Sequence, residues 1–517
     1  MPSGHARKLP PATLKKLGEA RSALAKHDTK AALDLYKAAL AQHPDNPMIM
    51  GELGHLLGVH GRRDRGLAML EKAIGLDPES SDLRCKAARL HLLGTEPDRA
   101  LAHLEPVCER EPRRLEALVM AAQCCERMNR LDDALAYAER AVGVRRNDPE
   151  ANLVLSQIET RLKRLDDARK RLEKLCTKRN LPGDLHHRAL TALGFALDKL
   201  GEYDEAFEAF GRAAEEIAST PRFQRVDRQL AFDRLDAYRG RIDTGALRRF
   251  QGLAFDTPAP AFLVGFPRSG TTMTEQVIAA HPRTATSDEK SFIDKMGRAL
   301  VGGQSDPFDV LGAIEKLDDA KVRELRAIYW QAVEDLVGHS LADLEGRLFL
   351  DKLPLNIIDL PMINAVFPDA RVIVALRDPR DVCLSAFMQW FEPNPAMVHL
   401  ITLDSAARFY EAVMGLYLES RGALSVPVLE VRYEDTVRDL ETQARRIIEH
   451  IGLEWHDDLL RFHEKAAERA IRTPSYAAVT EKVHTRAVER WRNYASAFEN
   501  LHPHLARFVA AFGYQDA

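Results

Sequence analysis

Along the first half of this 517-residue chain, a small residue is followed seven positions later by a second small or apolar one, over and over. That recurrence constrains the fold more than any single motif. The pairs are Ala31 with Ala38, Gly66 with Ala73, Ala100 with Val107, Ala134 with Ala141, Ala168 with Leu175, and Ala206 with Ala213. Pro44, Pro78, Pro112 and Pro149 follow the first four pairs. The steps between first members are 35, 34, 34, 34 and 38 residues. A period of about 34 residues accommodates two antiparallel helices and two turns. Small residues are needed where the second helix of a unit crosses the first closely. Gly54, Ala88, Ala122 and Gly194, each 12 positions upstream, supply the other side of that crossing. Turn signals at Gly61–Asp64, Asn129–Asp132 and Gly201–Asp204 fall between the two helices.

These repeats resemble the tetratricopeptide family over residues ~11–219, in about six degenerate copies. The alternative is a helical bundle without repeats. The resemblance implies a curved superhelix with a concave groove. Such a groove holds a peptide or protein partner, or packs against a neighbouring domain or a second copy of the chain. With 73 Lys+Arg against 77 Asp+Glu and a formal net charge of -4, the chain lacks the basic surplus of a nucleic-acid binder. No run of about 18 apolar residues predicts a membrane span. The first ten residues lack the apolar stretch of a secretory signal, so a cytoplasmic location is expected. Cysteines 85, 108, 124, 125, 176 and 383 form no CxxC pair and read as small buried hydrophobes.

Residues 221–259 are charged with a helical pattern and break at Thr257–Pro260, which marks a boundary. The expected organisation is a repeat array over 1–220, a helical linker over 221–259 and an α/β domain with a parallel sheet over 260–517. Ala261–Phe266 is an apolar run of strand length. It enters Pro267-Arg-Ser-Gly-Thr-Thr272, and a helical stretch follows to Ala280, ending at His281-Pro282. A strand, a tight glycine loop and a helix N-terminus together cradle a phosphate. Gly265, Gly270 and Thr272 match GxxxxGK[ST], but Thr271 stands in place of its lysine. Arg268 supplies a cation inside the loop instead, and its guanidinium can fork onto a phosphate or sulfonate. Further strands are expected at Arg347–Leu353, ending by Lys352, at Ala370–Arg377, and from Val428 through Tyr433 to Asp435. The strand ending at Arg377 closes on a cation where a magnesium-dependent P-loop enzyme places an Asp. The site is therefore expected to neutralise anions with Arg and Lys and to need no metal.

The loop PRSGTT, the segment LRDPRDVCLS, VRYED and a C-terminal RWRNY resemble the PAPS-dependent sulfotransferases, where PAPS is 3′-phosphoadenosine 5′-phosphosulfate. The closest similarity is to the bacterial repeat-bearing enzymes, with a more distant one to protein-tyrosine sulfotransferases. The resemblance covers residues ~260–500 and implies roles residue by residue. Arg268, Thr271 and Thr272, with the amides of Ser269 and Gly270, would hold the 5′-phosphosulfate. Arg377 and Ser385 would grip the 3′-phosphate, which ATP lacks. Tyr433 would line the nucleotide or serve as a buried strand tyrosine. Glu289, with Asp288 as the alternative, would be the catalytic base, and His281 a structural cap. Lys352, in Asp351-Lys-Leu-Pro354, would stabilise charge on the leaving phosphate. Asp351 departs from the family's Asn and would either weaken that charge or anchor the lysine. Ser475, Arg490 and Arg492 are the contacts expected from a C-terminal lid, with Arg490 and Arg492 as alternatives. Lys482 and Glu489 depart from the usual Pro and Gly there, and Trp491 reads as core. The implied activity is sulfonate transfer from PAPS to a hydroxyl or amine of a protein or peptide tyrosine, a glycan, a lipid or a small molecule. A repeat scaffold with a decayed transferase domain and a P-loop kinase are the alternatives from other classes.

Overall fold

The computed structural model describes residues 9–515 apart from 27, 179–180, 240–242, 288, 303–307 and 468–483. The chain divides into two compact units, Met1–Leu181 and Pro182–Ala517.

The first unit is built of helix pairs: α1 (Pro11–Ala25) with α2 (Thr29–Gln42), α3 (Pro47–Val59) with α4 (Arg63–Leu76), α5 (Ser81–Leu93) with α6 (Pro97–Arg110), α7 (Leu115–Arg127) with α8 (Leu131–Val144), and α9 (Pro149–Arg161) with α10 (Leu165–Cys176). The sixth pair, α11 (Gly183–Leu200) and α12 (Tyr203–Ala218), belongs to the second unit. The repeat period thus continues past the point where packing divides the chain. Short polar residues start several helices. The side chains of Asp28, Asn46, Ser80 and Asp148 accept from amides three residues on, which satisfies donors the first turn leaves open.

The small residues lie at the crossings within each pair. A Cβ on Gly66 would sit 2.4 Å from the Gly54 carbonyl oxygen and 2.8 Å from the Gly58 nitrogen. Ala88, Ala100, Ala122 and Ala134 are fully buried. In the first repeat the register differs by one from the expected pair. Ala32 and Ala39 are the buried residues, whereas Ala38 is exposed. Ala32 lies 34 residues before Gly66, so the true spacing is more regular than the sequence pair Ala31 and Gly66 suggests. All six cysteines are buried free thiols. Burial pushes the Cys85 and Cys124 thiols up to about 12, so they stay protonated and behave as apolar side chains.

The second unit centres on a five-stranded sheet: β1 (Ala261–Gly265), β2 (Thr284–Thr286), β3 (Leu348–Lys352), β4 (Arg371–Leu376) and β5 (Val428–Arg432). The order is β2-β3-β1-β4-β5, and every pairing is parallel. The chain steps from β1 toward one edge and later from β3 back past β1 toward the other. Ligands bind at the strand C-termini where such an order reverses. β2 is absent from the sequence reading because it is three residues long and offers no apolar run. On one face of the sheet Leu263, Leu350, Ile373 and Val431 pack on Val277, Ile278, Ile447 and Ile448. On the other, Phe262, Tyr329 and Phe367 stack edge-on or tilted. The Pro-rich step at 257–260 is tied to the helix Asp319–Val337, because Arg326 donates to the Thr257 carbonyl at 2.5 Å and Trp330 Nε1 to that of Pro258 at 3.1 Å.

Asp351 lies within this aromatic layer. It is fully buried, and it accepts from the Tyr329 hydroxyl at 2.9 Å. Successive strand residues face opposite ways, so Asp351 points away from the partners of Lys352 and does not anchor that side chain, contrary to one of the two expectations. Burial pushes its carboxyl up to about 7.

Two stability experiments follow from these contacts. Gly66→Ala should lower stability by about 1–3 kcal/mol through overpacking. Gly75→Ala, whose Cβ meets nothing within 4 Å, should not. Urea unfolding followed by circular dichroism separates them, and equal losses would refute the crossing argument. Between pH about 4 and 7 the folded chain keeps a proton on Asp351 that the unfolded chain releases, so stability falls as pH rises through this window. Asp351→Asn should therefore gain on wild type as pH rises, by up to ~4 kcal/mol at about 1.36 kcal/mol per pKa unit. A stability difference that stays flat from pH 4 to 8 would show that burial does not shift this group.

Candidate active site

The loop between β1 and the helix Thr271–Ala279 has backbone demands that few residues meet. Gly265 has φ +155, and a Cβ there would lie 2.6 Å from the Ala375 carbonyl oxygen. Gly270 has φ +97, and a Cβ there would lie 2.9 Å from the Tyr433 ring. Arg268 also takes a positive φ, +74, a conformation that costs a non-glycine residue of order 1 kcal/mol or more. The turn closes through the Ser269 amide, which donates to the Phe266 carbonyl at 3.1 Å. That amide was expected to face a phosphate. Its hydrogen bond is spent inside the loop instead, and the Ser269 side chain is buried. Pro267, Arg268, Gly270, Thr271 and Thr272 do line a cavity of about 780 Å³. The positive end of the helix dipole opens there.

Three cations meet at this end of the cavity. The Arg268 Nε donates to the Ser385 hydroxyl at 3.0 Å. Arg377 donates to the Arg268 carbonyl at 3.3 Å and to the Ala487 carbonyl at 2.6 Å. Its guanidinium lies 5.0 Å from the Tyr433 ring centre. Burial, with the neighbouring Arg377 charge, brings the Arg268 guanidinium down to about 10, so it remains charged at neutral pH while repelling its neighbour. Arg490 is the third, held by Asp198 of α11 at 2.7 Å. The Tyr494 hydroxyl donates to the same carboxylate at 2.7 Å. Arg377, Ser385, Tyr433 and Arg490 all line the cavity. Arg492 does not: its side chain is 46% exposed and pairs with Glu489. Of the two alternatives, the one on the cavity is therefore Arg490. Trp491 is buried beneath the Arg380 guanidinium, 3.9 Å from its ring centre, and packs as core. Ser475, Asp288 and Lys482 lie outside the described residues.

The strongest electrostatic feature is Lys352 at the end of β3. It is 0% exposed, with its ammonium 2.9 Å from Glu275 Oε2 and 2.7 Å from Glu289 Oε1. Burial acts to discharge it, but the two carboxylates outweigh burial and hold it above the ordinary lysine range. The Ser287 hydroxyl accepts from the Lys352 amide at 2.8 Å and ties the turn after β2 to β3. Glu289 stands at φ +58 and lines the cavity. Lys352 does not line it, because the two carboxylates draw its side chain inward behind Glu289. Glu275 escaped the sequence reading because it sits among the apolar and threonine residues of the loop helix. The signal available was a lone carboxylate on a helix that is otherwise uncharged from Thr271 to Ala280. His281 accepts from the Arg283 amide at 3.1 Å and sits 3.0 Å from the Glu454 carbonyl. It lies away from the cavity as a structural residue.

The rest of the cavity wall comes from places the sequence did not mark. Leu230, Ala231 and Arg234 belong to the segment expected as a linker. Leu355, Ile358, Phe391 and Met397 add apolar surface. Arg234 is held by Asp294 at 3.2 Å and by Asp359. The cavity thus combines a cluster of cations beside the glycine loop, Glu289 on its wall, and a mixed polar and apolar remainder. Among the described residues, no helix is long and apolar enough to cross a membrane.

Comparison with known proteins agrees with this architecture. Residues 260–457 match the sulfotransferase family, and residues 17–81, 92–158 and 153–220 match tetratricopeptide repeats. An uncharacterized protein of Aquifex aeolicus is 25% identical over 332 residues, 62% of this chain and 42% of that one. Protein-tyrosine sulfotransferase A of Caenorhabditis elegans is 28% identical over 212 residues, 40% of this chain and 52% of that enzyme. Protein-tyrosine sulfotransferase 2 of Gallus gallus is 20% identical over 270 residues, 49% of this chain and 68% of that enzyme. The chain thus spans about half the length of the first two. Helical repeats, a parallel sheet with a glycine loop at its C-terminal edge, and both family matches lead to one conclusion: tetratricopeptide repeats within residues 17–220 are followed by a sulfotransferase-family domain over residues 260–457.

Proposed function

We propose that this chain transfers a sulfonate from PAPS to a hydroxyl or amine acceptor, with adenosine 3′,5′-bisphosphate as the leaving product. The observation that carries this reading is the convergence of Arg268, Arg377 and Arg490 at one end of a cavity that also holds Glu289. Repelling guanidiniums gain most from a ligand with several negative charges. Arg268, Thr271 and Thr272 take the 5′-phosphosulfate at the helix N-terminus. Arg377 and Ser385 take the 3′-phosphate. Tyr433 and Arg490 close the nucleotide side. The acceptor oxygen or nitrogen attacks sulfur, the bond from sulfur to the bridging oxygen breaks, and Glu289 takes the acceptor's proton. Lys352 orients Glu289 through their 2.7 Å contact. Glu275 keeps Lys352 charged after Glu289 is neutralised. Lys352 can reach the leaving phosphate only by releasing Glu289. No step in this scheme draws on a metal ion. The curated relatives named as protein-tyrosine sulfotransferases favour a tyrosine of a protein or peptide as acceptor. The side chains of Leu355, Ile358, Phe391 and Met397 on the cavity wall suit a phenol ring. A glycan or small molecule is the second class. The repeats supply a surface for a protein partner or a second copy of the chain, and the setting is cytoplasmic.

Calorimetric titration with adenosine 3′,5′-bisphosphate tests the donor. Wild type should bind at micromolar strength, about -8 kcal/mol. Arg377→Ala should bind at least about tenfold more weakly, and ATP with magnesium should not bind. Absence of bisphosphate binding would remove the proposal and leave a repeat scaffold; magnesium-dependent ATP turnover would favour a kinase. The base is tested by transfer of labelled sulfonate from PAPS to a tyrosine peptide. Glu289→Gln should lower kcat by about 10²–10⁴ and leave bisphosphate affinity within about twofold. Retained turnover would move the base elsewhere.

A further inference from the structure

We propose that Glu71, His91 and His103 form a binding site for a divalent transition-metal ion of the zinc class on the repeat unit. The residues come from α4, α5 and α6, so the site joins two consecutive repeats. One ligand atom from each lies within 4.8 Å of those of the other two. His103 Nε2 is 3.2 Å from Glu71 Oε1, close to the ~3.3 Å edge of a tetrahedron with ligand bonds of about 2.0–2.1 Å. The two imidazoles stack 5.4 Å apart at 18°.

The surroundings favour a metal over an ion pair. His91 Nδ1 is 2.7 Å from Glu96 Oε2, and Glu96 is held by Arg63 at 2.5 Å. A carboxylate on one ring nitrogen sets the tautomer and raises the basicity of the other, an arrangement found behind metal-ligating histidines. Both imidazoles are largely buried, with side chains 7% and 14% exposed. A metal ion needs the neutral ring and supplies the positive charge that Glu71 then faces. Two nitrogens and one carboxylate select zinc, cobalt or nickel over calcium or magnesium. Glu71, 55% exposed, leaves the remaining coordination position open to water.

The test uses the full chain, stripped with a chelator. Zinc titration should show one saturable equivalent, and cobalt should give visible ligand-field bands at the same stoichiometry. Glu71→Gln, at an exposed position that leaves folding intact, and His103→Gln should each weaken zinc by at least about tenfold. Glu96→Gln, a positioning change, should weaken it by about 10–100-fold while the cobalt spectrum keeps its shape. No saturable zinc equivalent in the wild type, or unchanged affinity in both Glu71→Gln and His103→Gln, would overturn the proposal.

Discussion

A fully buried lysine ammonium organises the sheet-bearing half of this chain. Lys352 is removed from water at the end of β3, and an unpaired charge there would cost several kcal/mol. Glu275 and Glu289 offset that cost from two different elements, the loop helix and the turn after β2. One side chain therefore sets the distance between the sheet edge, the helix that follows the glycine loop, and the carboxylate facing the cavity. Removing either partner would leave a buried charge unbalanced. This coupling makes Glu289 a group of defined orientation despite its place on a turn.

The glycine loop depends on the same edge. All five strands are parallel, so the segments after β1, β3, β4 and β5 emerge together. That places Arg268, Arg377 and Tyr433 around one opening although they are spread over more than 160 residues of sequence. The loop itself carries strain at Arg268, whose positive φ is tolerated because Gly265 and Gly270 leave the Ala375 carbonyl and the Tyr433 ring room to close in. Backbone strain, a helix N-terminus and mutual repulsion of guanidiniums coincide at one spot, as they do where a protein is organised to receive an anion.

The sixth helix pair has two allegiances. Its sequence continues the repeat period, and its small residues Gly194 and Ala206 occupy the expected crossing positions. Its packing belongs to the second unit. There Phe207 and Phe210 meet Phe387, and Asp198 holds Arg490 and Tyr494. A repeat helix thus supplies a charge partner to a residue on the cavity wall.

Local patterns were legible without coordinates. The small-residue period specifies paired helices, because only glycine or alanine lets two backbones cross so closely. The apolar runs specify four of the five strands, and PRSGTT between a strand and a helix specifies a tight glycine loop at a helix N-terminus. Motif resemblance singles out Arg268, Arg377, Ser385 and Glu289, and all four line one cavity. Other features were decided only in three dimensions. β2 is too short to show a pattern, and Ala32 rather than Ala31 faces the first crossing because helix rotation is set by packing. The commitment of the Ser269 amide within its own turn, the place of Arg490 rather than Arg492 on the cavity, and the partnership of Lys352 with Glu275 all depend on side-chain direction. So does the use of residues 229–236 as cavity wall. Sequence reports periodicity and spacing along one chain. The pairing of charges from distant segments, and the retreat of Lys352 behind Glu289, arise only when burial forces each polar group to find its partner.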